Sequence, residues 1–271
     1  MRQRLTTIQA TYRKEIDRAV ESWSDHEGMS AAQVVGWLEQ FEDSRIPLAL
    51  SVIKKVKYLN AANIRGMAKQ LIDIIRVELE DRGFNAIGFV PVGDAGSGSG
   101  TVARAIKDIL RGRKYANCRL LSMLEVARLQ GDCDALVFVD DFSGTGFTLE
   151  KWWENVEPTV RPANAEIFVG LLVLNESARG RIEGFAEAVL AVEELDESHN
   201  LFAGANKDFT EADKEHLLAQ CQRTGCGVRY ERGFGGCGLL LAFKHGCPNN
   251  SLPILWYESE TWRALFKRRA I

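Results

Sequence analysis

The chain has 271 residues, 46% of them hydrophobic and 26% charged, with a formal net charge of −3. That balance predicts a folded protein with a core of ordinary size, one large α/β domain or such a domain with helical additions, and it excludes an intrinsically disordered chain. The small acidic excess argues against a protein that coats nucleic acid by bulk charge, although the terminal RALFKRRAI can form a local basic patch.

The N-terminal stretch MRQRLTTIQATYRKEIDRAV is charged throughout, with no apolar centre of signal-peptide length. No later run reaches the roughly 18 apolar residues of a membrane span, so none is expected. Six cysteines without a secretory signal read as reduced thiols in a cytoplasm. Ile8, Tyr12, Ile16 and Val20 recur every four residues and place one helical face. Ser30 can cap a second helix, SAAQVVGWLEQF, and Pro47 stands near the start of a third, RIPLALSVIKKVKYL. A fourth is expected from about Ala61 to Asp81, with Ile64, Met67, Leu71, Ile74, Ile75 and Leu79 at helical spacing and Gly83 as its stop.

The pattern changes at AIGFVPVG, residues 86–93, a short apolar run that reads as a buried strand. A helix over Thr101 to Leu110 and a strand at RLLSM follow. ALVFVDD is a strand, TLEKWWENV a helix, EIFVGLLVLN a strand, ARGRIEGFAEA a helix and AVLAVEEL another strand. Such alternation implies a parallel sheet with helices on both faces. Beyond about residue 196 the chain is less regular: TEADKEHLLAQCQRTG is a capped helix, GLLLAF a strand and PNNSLPILW a loop. The expected organisation is a helical extension at 1–83, an α/β core at 84–195, and a part at 196–271 that completes the core.

Two loops carry the chemistry. VPVGDAGSGSGT, residues 90–101, joins a strand to a helix at the carboxyl end of a parallel strand, where open α/β sheets bind ligands. Its glycines permit close backbone approach, and the helix start offers free N–H groups to an anion; a flexible surface turn is the alternative. The spacing of Gly96, Gly98 and Gly100 is not that of a dinucleotide loop. A phosphate-binding loop of the Walker type would end in Lys, and here Gly98, Ser99, Gly100 and Thr101 supply none.

The second is VFVDDFSGTGFTLE, residues 137–150. Asp140 and Asp141 are expected at the carboxyl end of a strand buried on both faces, with their side chains directed differently. Two such carboxylates can hold the vicinal hydroxyls of a sugar, support a hydrated Mg²⁺, or do both. The loop Ser143-Gly144-Thr145-Gly146-Phe147-Thr148 then leads into a helix, and its N–H groups and hydroxyls make a cradle for a phosphate monoester. The plainer alternative is an acid-ended strand followed by a capped helix.

This segment resembles the signature of type I phosphoribosyltransferases (PRTases): apolar strand, two acids, two residues, then a loop of the form x-T-G-x-T. The resemblance implies a parallel-sheet, Rossmann-like PRTase core with a helical extension before it and a hood-like region after it. It implies that Asp140 and Asp141 contact the ribose hydroxyls of phosphoribosyl pyrophosphate (PRPP) and serve Mg²⁺, directly or through water. Ser143, Gly144, Thr145, Gly146, Phe147 and Thr148 would hold the 5-phosphate. Gly93, Asp94, Ala95, Gly96, Ser97 and Gly98 occupy the place of the pyrophosphate loop. WLEQF, VPVGDAGSGSG, VFVDDFSGTG and HGCPNNSLPILW resemble, more narrowly, PRTase-like proteins of bacterial conflict and anti-phage loci, which implies an effector beside a partner such as a reverse transcriptase (retron) or DNA-binding protein.

Three departures from the family pattern stand out. Gly144 occupies a position where many purine-base enzymes carry an acid that handles the base's proton. The pyrophosphate loop holds Asp94 and no cation, so Mg²⁺, backbone N–H groups, or Lys107, Arg111, Arg113 or Lys114 would have to meet the leaving group's charge. Little chain separates the helix near Arg111 from ALVFVDD, and the basic RGRKYANCR, residues 111–119, is the candidate for a shortened closing loop. Tyr230, Phe234 and Trp256 are candidates to stack on a base, and Asn249 and Asn250 to bind a ligand or shape a turn. Cys221, Cys226, Cys237, His245 and Cys247 lack the CxxC spacing of a zinc site and read as buried thiols and a structural histidine. The expected function is a PRPP-binding, Mg²⁺-dependent PRTase-like protein. A non-catalytic PRPP or nucleotide sensor that signals to a protein partner is the alternative, and a P-loop-like NTPase the third reading.

Overall fold

Residues 2–93 and 98–266 are described by the computed structural model. Their elements begin with α1 (Arg2–Thr11), α2 (Arg13–Ser22), α3 (Ala31–Leu38), α4 (Ile46–Lys55), β1 (Lys57–Leu59), α5 (Ala61–Asp81), β2 (Ile87–Pro91) and α6 (Gly98–Ile109). There follow β3 (Cys118–Leu120), α7 (Met123–Val126), β4 (Ala135–Ser143), α8 (Phe147–Val160), β5 (Glu166–Asn175) and α9 (Arg179–Ile182). The chain ends with β6 (Ala188–Leu195), α10 (Glu211–Arg223), β7 (Leu241–Phe243) and α11 (Pro253–Trp256). Two compact units divide it, one of residues 1–61 and 197–271, the other of residues 62–196.

The second unit is built on a five-stranded parallel sheet of order β3-β2-β4-β5-β6. Ala135 to Val139 and Phe168 to Asn175 are buried throughout, as central strands covered on both faces require. Leu136 and Phe138 of β4, with Val169 and Leu171 of β5, pack with Leu149 and Trp153 of α8, Val126 of α7 and Ile182 of α9. On the other face Gly170 admits α5, because a Cβ there would lie 2.8 Å from Ile75 Cδ1. Burial of Ile64, Leu71, Ile72, Ile75 and Leu79 makes α5 part of this unit. The expected extension over 1–83 therefore divides at Ala61, since the apolar stripe of α5 covers the sheet.

The first unit joins both ends of the chain. The periodic face over Ile8 and Ile16 is buried as expected, but the helix breaks at Tyr12, whose φ of −113° and ψ of 27° separate α1 from α2. Ser30 caps α3, its hydroxyl accepting the Gln33 N–H at 3.2 Å. Trp37 and Trp262 both donate indole N–H groups to the Ile254 carbonyl, at 2.7 and 3.0 Å. The helix expected to run through Leu59 stops at Lys55. Lys57 to Leu59 pair instead with Leu241 to Phe243 as a two-stranded parallel sheet, and the Lys57 N–H donates to the Leu240 carbonyl at 2.8 Å. Pro253 to Trp256 form a short helix where a loop was expected, and ARGRIEGFAEA is helical only over Arg179–Ile182 before the chain re-enters the sheet at Ala188. Among the described residues, no helix is long and apolar enough to cross a membrane.

Candidate functional site

From β2 the chain passes to β3 on one side, then returns to β4 on the other and continues outward to β5 and β6. The direction of winding reverses between β2 and β4, and ligands of open α/β sheets bind at the carboxyl ends of such strands. β2 ends at Pro91, opposite Val139, and the Val92 N–H donates to the Val139 carbonyl at 3.1 Å. β4 continues through Asp140, Asp141, Phe142 and Ser143, held on its other edge by β5 with Asp140 opposite Leu171 and Ser143 opposite Leu174. The strand is thus longer than the apolar run suggests, and the two acids lie within it, just past the end of β2.

The carboxylates interact. Asp140 accepts the Asp141 N–H at 2.9 Å. Burial, then the neighbouring Asp141 charge and a hydrogen bond with its carboxyl, hold Asp140 well above the usual carboxylate range. Asp141 lies against the first residue of α6: a Cβ on Gly98 would stand 2.3 Å from its Oδ2. Glycine at 98 is therefore what lets this carboxylate approach the helix start, where the free N–H groups favour negative charge. The buried Ser99 hydroxyl donates to the Val92 carbonyl and ties the start of α6 to the end of β2. Gly93 has φ of +75° and is exposed. Asp94, Ala95, Gly96 and Ser97 lie outside the described residues.

The second loop is a tight turn braced from behind. Ser143 and Gly144 are buried, and the Gly144 carbonyl accepts the Ser177 hydroxyl at 3.0 Å. Gly146 caps α8 at φ +74°, and a Cβ there would meet the Ala178 carbonyl oxygen and Arg181 Cβ and Cδ, each at 3.1 Å. Thr145 is partly buried, whereas Phe147 and Thr148 are exposed in the first turn of α8. Arg181 pairs with Glu150 at 2.8 Å, and its guanidinium lies 5.9 Å from the Phe147 ring centre. Ser99, Ser177 and Arg181 were not picked out from the sequence. Ser177 and Arg181 are more than thirty positions from the residues they support, Ser177 in the connection after β5 and Arg181 inside a stretch read as one helix.

Four basic candidates are elsewhere. α6 starts at the crevice and rises about 1.5 Å per residue, which puts Lys107 roughly 13 Å from Gly98. Arg111, Arg113 and Lys114 come after α6 and before β3, at the amino ends of the strands. Arg111 pairs there with Asp108 and Lys114 with Asp73. The stretch 111–119 therefore cannot close over the site. Arg104 is nearer and bends back to donate to the Gly100 carbonyl at 3.3 Å.

Tyr230, Phe234 and Trp256 belong to the first unit, where Tyr230 packs against Phe234 and edge-on against Trp256. Asn250 is buried and shapes the chain, its amide donating to the Phe234 carbonyl at 3.0 Å; the Asn249 carbonyl accepts the Phe234 N–H at 2.7 Å. His245 stacks on Phe243. All six cysteines are free and buried, and no set of three His, Cys, Asp or Glu that could hold a metal ion occurs among the described residues. Asp140 and Asp141 fit a divalent cation as a pair of hard oxygen donors, because such a charge would offset the burial and the repulsion that raise Asp140.

Compared with protein-family models, the sequence matches PRTase-CE over residues 34–268. The chain belongs to the PRTase-CE family. The match covers residues of both units of this PRTase-CE protein, including Asp140, Asp141 and both loops. Its sheet is the mixed α/β, parallel arrangement anticipated from the strand–helix alternation. Among solved structures it is similar to the hypoxanthine-guanine phosphoribosyltransferase of Schistosoma mansoni in complex with IMP, with 14% identity and a TM-score of 0.35 over 51% of this chain and 65% of that one. A search of curated proteins returns no match.

Proposed function

We propose that the ends of β2 and β4 bind PRPP as its Mg²⁺ complex and that the protein transfers or releases ribose 5-phosphate with departure of pyrophosphate. One observation carries this reading: an interacting carboxylate pair near the end of β4 lies against the start of α6, where a Cβ on Gly98 would clash with Asp141, and the same strand runs on through the Gly146 turn into α8. The start of α8, with Gly144 to Thr148, suits the 5-phosphate, and Asp140 and Asp141 suit the ribose hydroxyls. The start of α6 suits the pyrophosphate. Bound Mg²⁺ would neutralise leaving-group charge, which matters because no described cation among Lys107, Arg111, Arg113 and Lys114 reaches the crevice. As charge grows at C1′ the carboxylates stabilise it electrostatically.

PRPP with Mg²⁺ is expected to raise the melting temperature of the wild type, and the Asp140→Asn/Asp141→Asn variant should lose that rise. No shift in the wild type at millimolar PRPP would overturn the assignment. A pyrophosphate-release assay with bases, nucleosides and nucleic acids then tests transfer. Gly144, whose carbonyl is tied to Ser177, offers no general base and favours a second reading, a PRPP or nucleotide sensor that acts through a protein partner. Binding without pyrophosphate release, even with that partner present, would select it. The resemblance to conflict-system proteins supports a cytoplasmic anti-phage effector acting beside a reverse transcriptase or DNA-binding protein. Loss of phage protection in the Asp140→Asn/Asp141→Asn variant is the matching test.

A further inference from the structure

The first unit carries a second chemically distinct surface, in the loop that joins α10 to β7. Its sequence, TGCGVRYERGFGGCG (residues 224–238), interleaves arginines with aromatic side chains on a glycine framework. The framework is a defined backbone path that needs glycine. Gly225, Gly227, Gly233, Gly235, Gly236 and Gly238 all have positive φ, a region that side-chain-bearing residues seldom occupy. A Cβ on Gly233 would lie 2.2 Å from the Asn250 carbonyl oxygen, and one on Gly238 would lie 2.3 Å from Asn200 Oδ1. Backbone bonds pin the loop as well: the Phe234 N–H donates to the Asn249 carbonyl at 2.7 Å, and the Gly238 N–H to the Arg232 carbonyl at 2.7 Å. Neither arginine's side chain takes part in this framework.

Both arginines instead stand over aromatic rings. Arg229 Cζ stands 4.5 Å from the centre of Phe234 and 5.9 Å from that of Tyr230, and Arg232 Cζ stands 5.1 Å from the centre of Phe202. Both are exposed, and neither forms an ion pair with an acid among the described residues. Glu231, between them, accepts a hydrogen bond from the Gln222 amide at 3.1 Å. Val228 beside them is 85% exposed and gives the loop an apolar tip. A guanidinium stacked on an aromatic ring keeps its outer face for a second planar group and its N–H edge for a phosphate oxygen. Two such groups three residues apart, with an apolar tip, combine stacking platforms and phosphate donors as sites for unpaired nucleotides do.

We infer that the Arg229–Arg232 loop is a binding surface for single-stranded nucleic acid. Its aromatic-backed guanidiniums stack on bases and contact the connecting phosphates. It is independent of the PRPP reading, and it agrees with a net charge of −3, because it needs a local pair of cations rather than a basic envelope. An acidic peptide would pair its carboxylates with the guanidinium edges and leave the stacking faces unused.

Fluorescence anisotropy of the full chain with labelled single-stranded DNA and RNA oligomers, a duplex of the same sequence and a polyglutamate peptide tests it. The wild type should bind one or both single strands at least tenfold more tightly than the duplex or the peptide, and the DNA and RNA arms decide which strand is preferred. Arg229→Ala/Arg232→Ala should weaken single-strand binding at least tenfold and reduce the salt slope by about 1.4, the value for two released phosphate contacts. Arg229→Lys/Arg232→Lys, which keeps charge but not the planar stack, should also weaken it and guards against misfolding of the alanine variant. Unchanged affinity in both variants, preference for polyglutamate, or no single-strand binding by the wild type would overturn the inference.

Discussion

Replacing Gly146 with alanine tests the proposed phosphate loop in one step. At φ +74° any residue with a Cβ occupies the left-handed region, which costs about 1–3 kcal/mol. The new methyl would also press on the Ala178 carbonyl oxygen and on Arg181 Cβ and Cδ, all at 3.1 Å. The carbonyl is backbone and yields little. About 2 kcal/mol is the expected loss, or roughly 6 °C in melting temperature for a unit of this size. Gly170→Ala is the control: its Cβ would meet Ile75 Cδ1 at 2.8 Å beneath the sheet, and overpacking of that kind costs about 1–3 kcal/mol. Melting curves with and without PRPP and Mg²⁺ separate the two. A ligand at a hundredfold its Kd stabilises by about 2.7 kcal/mol. A distorted cradle that weakens binding tenfold removes about 1.4 kcal/mol of that. Gly170→Ala should keep the full ligand-induced shift and Gly146→Ala should lose at least half. Equal shifts in the two variants would refute the assignment of this loop to the 5-phosphate.

Two further outcomes are expected. Asp140 has a raised carboxyl pKa, so between its unfolded and native values the folded protein holds the extra proton and stability falls as pH rises through that window. Asp140→Asn should remove this slope and leave the ligand-free protein more stable at neutral pH, which urea titrations at several pH values will show. Burial pushes the Cys118 thiol up to about 11, so the native protein should leave it unlabelled by a thiol reagent near neutral pH, while urea exposes it.

Much of the site was legible because its chemistry is local. Asp140, Asp141 and Gly144 to Thr148 follow one another in sequence, and a strand, a turn and a helix start must bring them together. EIFVGLLVLN coincides with β5, since a buried parallel strand leaves a continuous apolar run, and AVLAVEEL coincides with the edge strand β6. The misses involve partners distant in the chain. Lys57 to Leu59 looked helical because nothing nearby reveals β7, and Ser177 and Arg181 carry no mark of the turn they brace. The basic candidates after α6 seemed close in sequence, but a helix of that length carries them away from its own start.

The pairing of β1 with β7 has a consequence for synthesis. Residues 57–59 must wait for 241–243, and the whole of the second unit is translated between them. At about 5–20 residues per second the N-terminal helices remain without their partner strand for roughly ten seconds or longer. The sheet unit, complete by residue 196, can fold during that interval from contacts of shorter range. The connectivity thus lets the unit of residues 62–196 assemble first on the ribosome, whereas the strand pairing of the other unit needs residues 241–243 to have emerged.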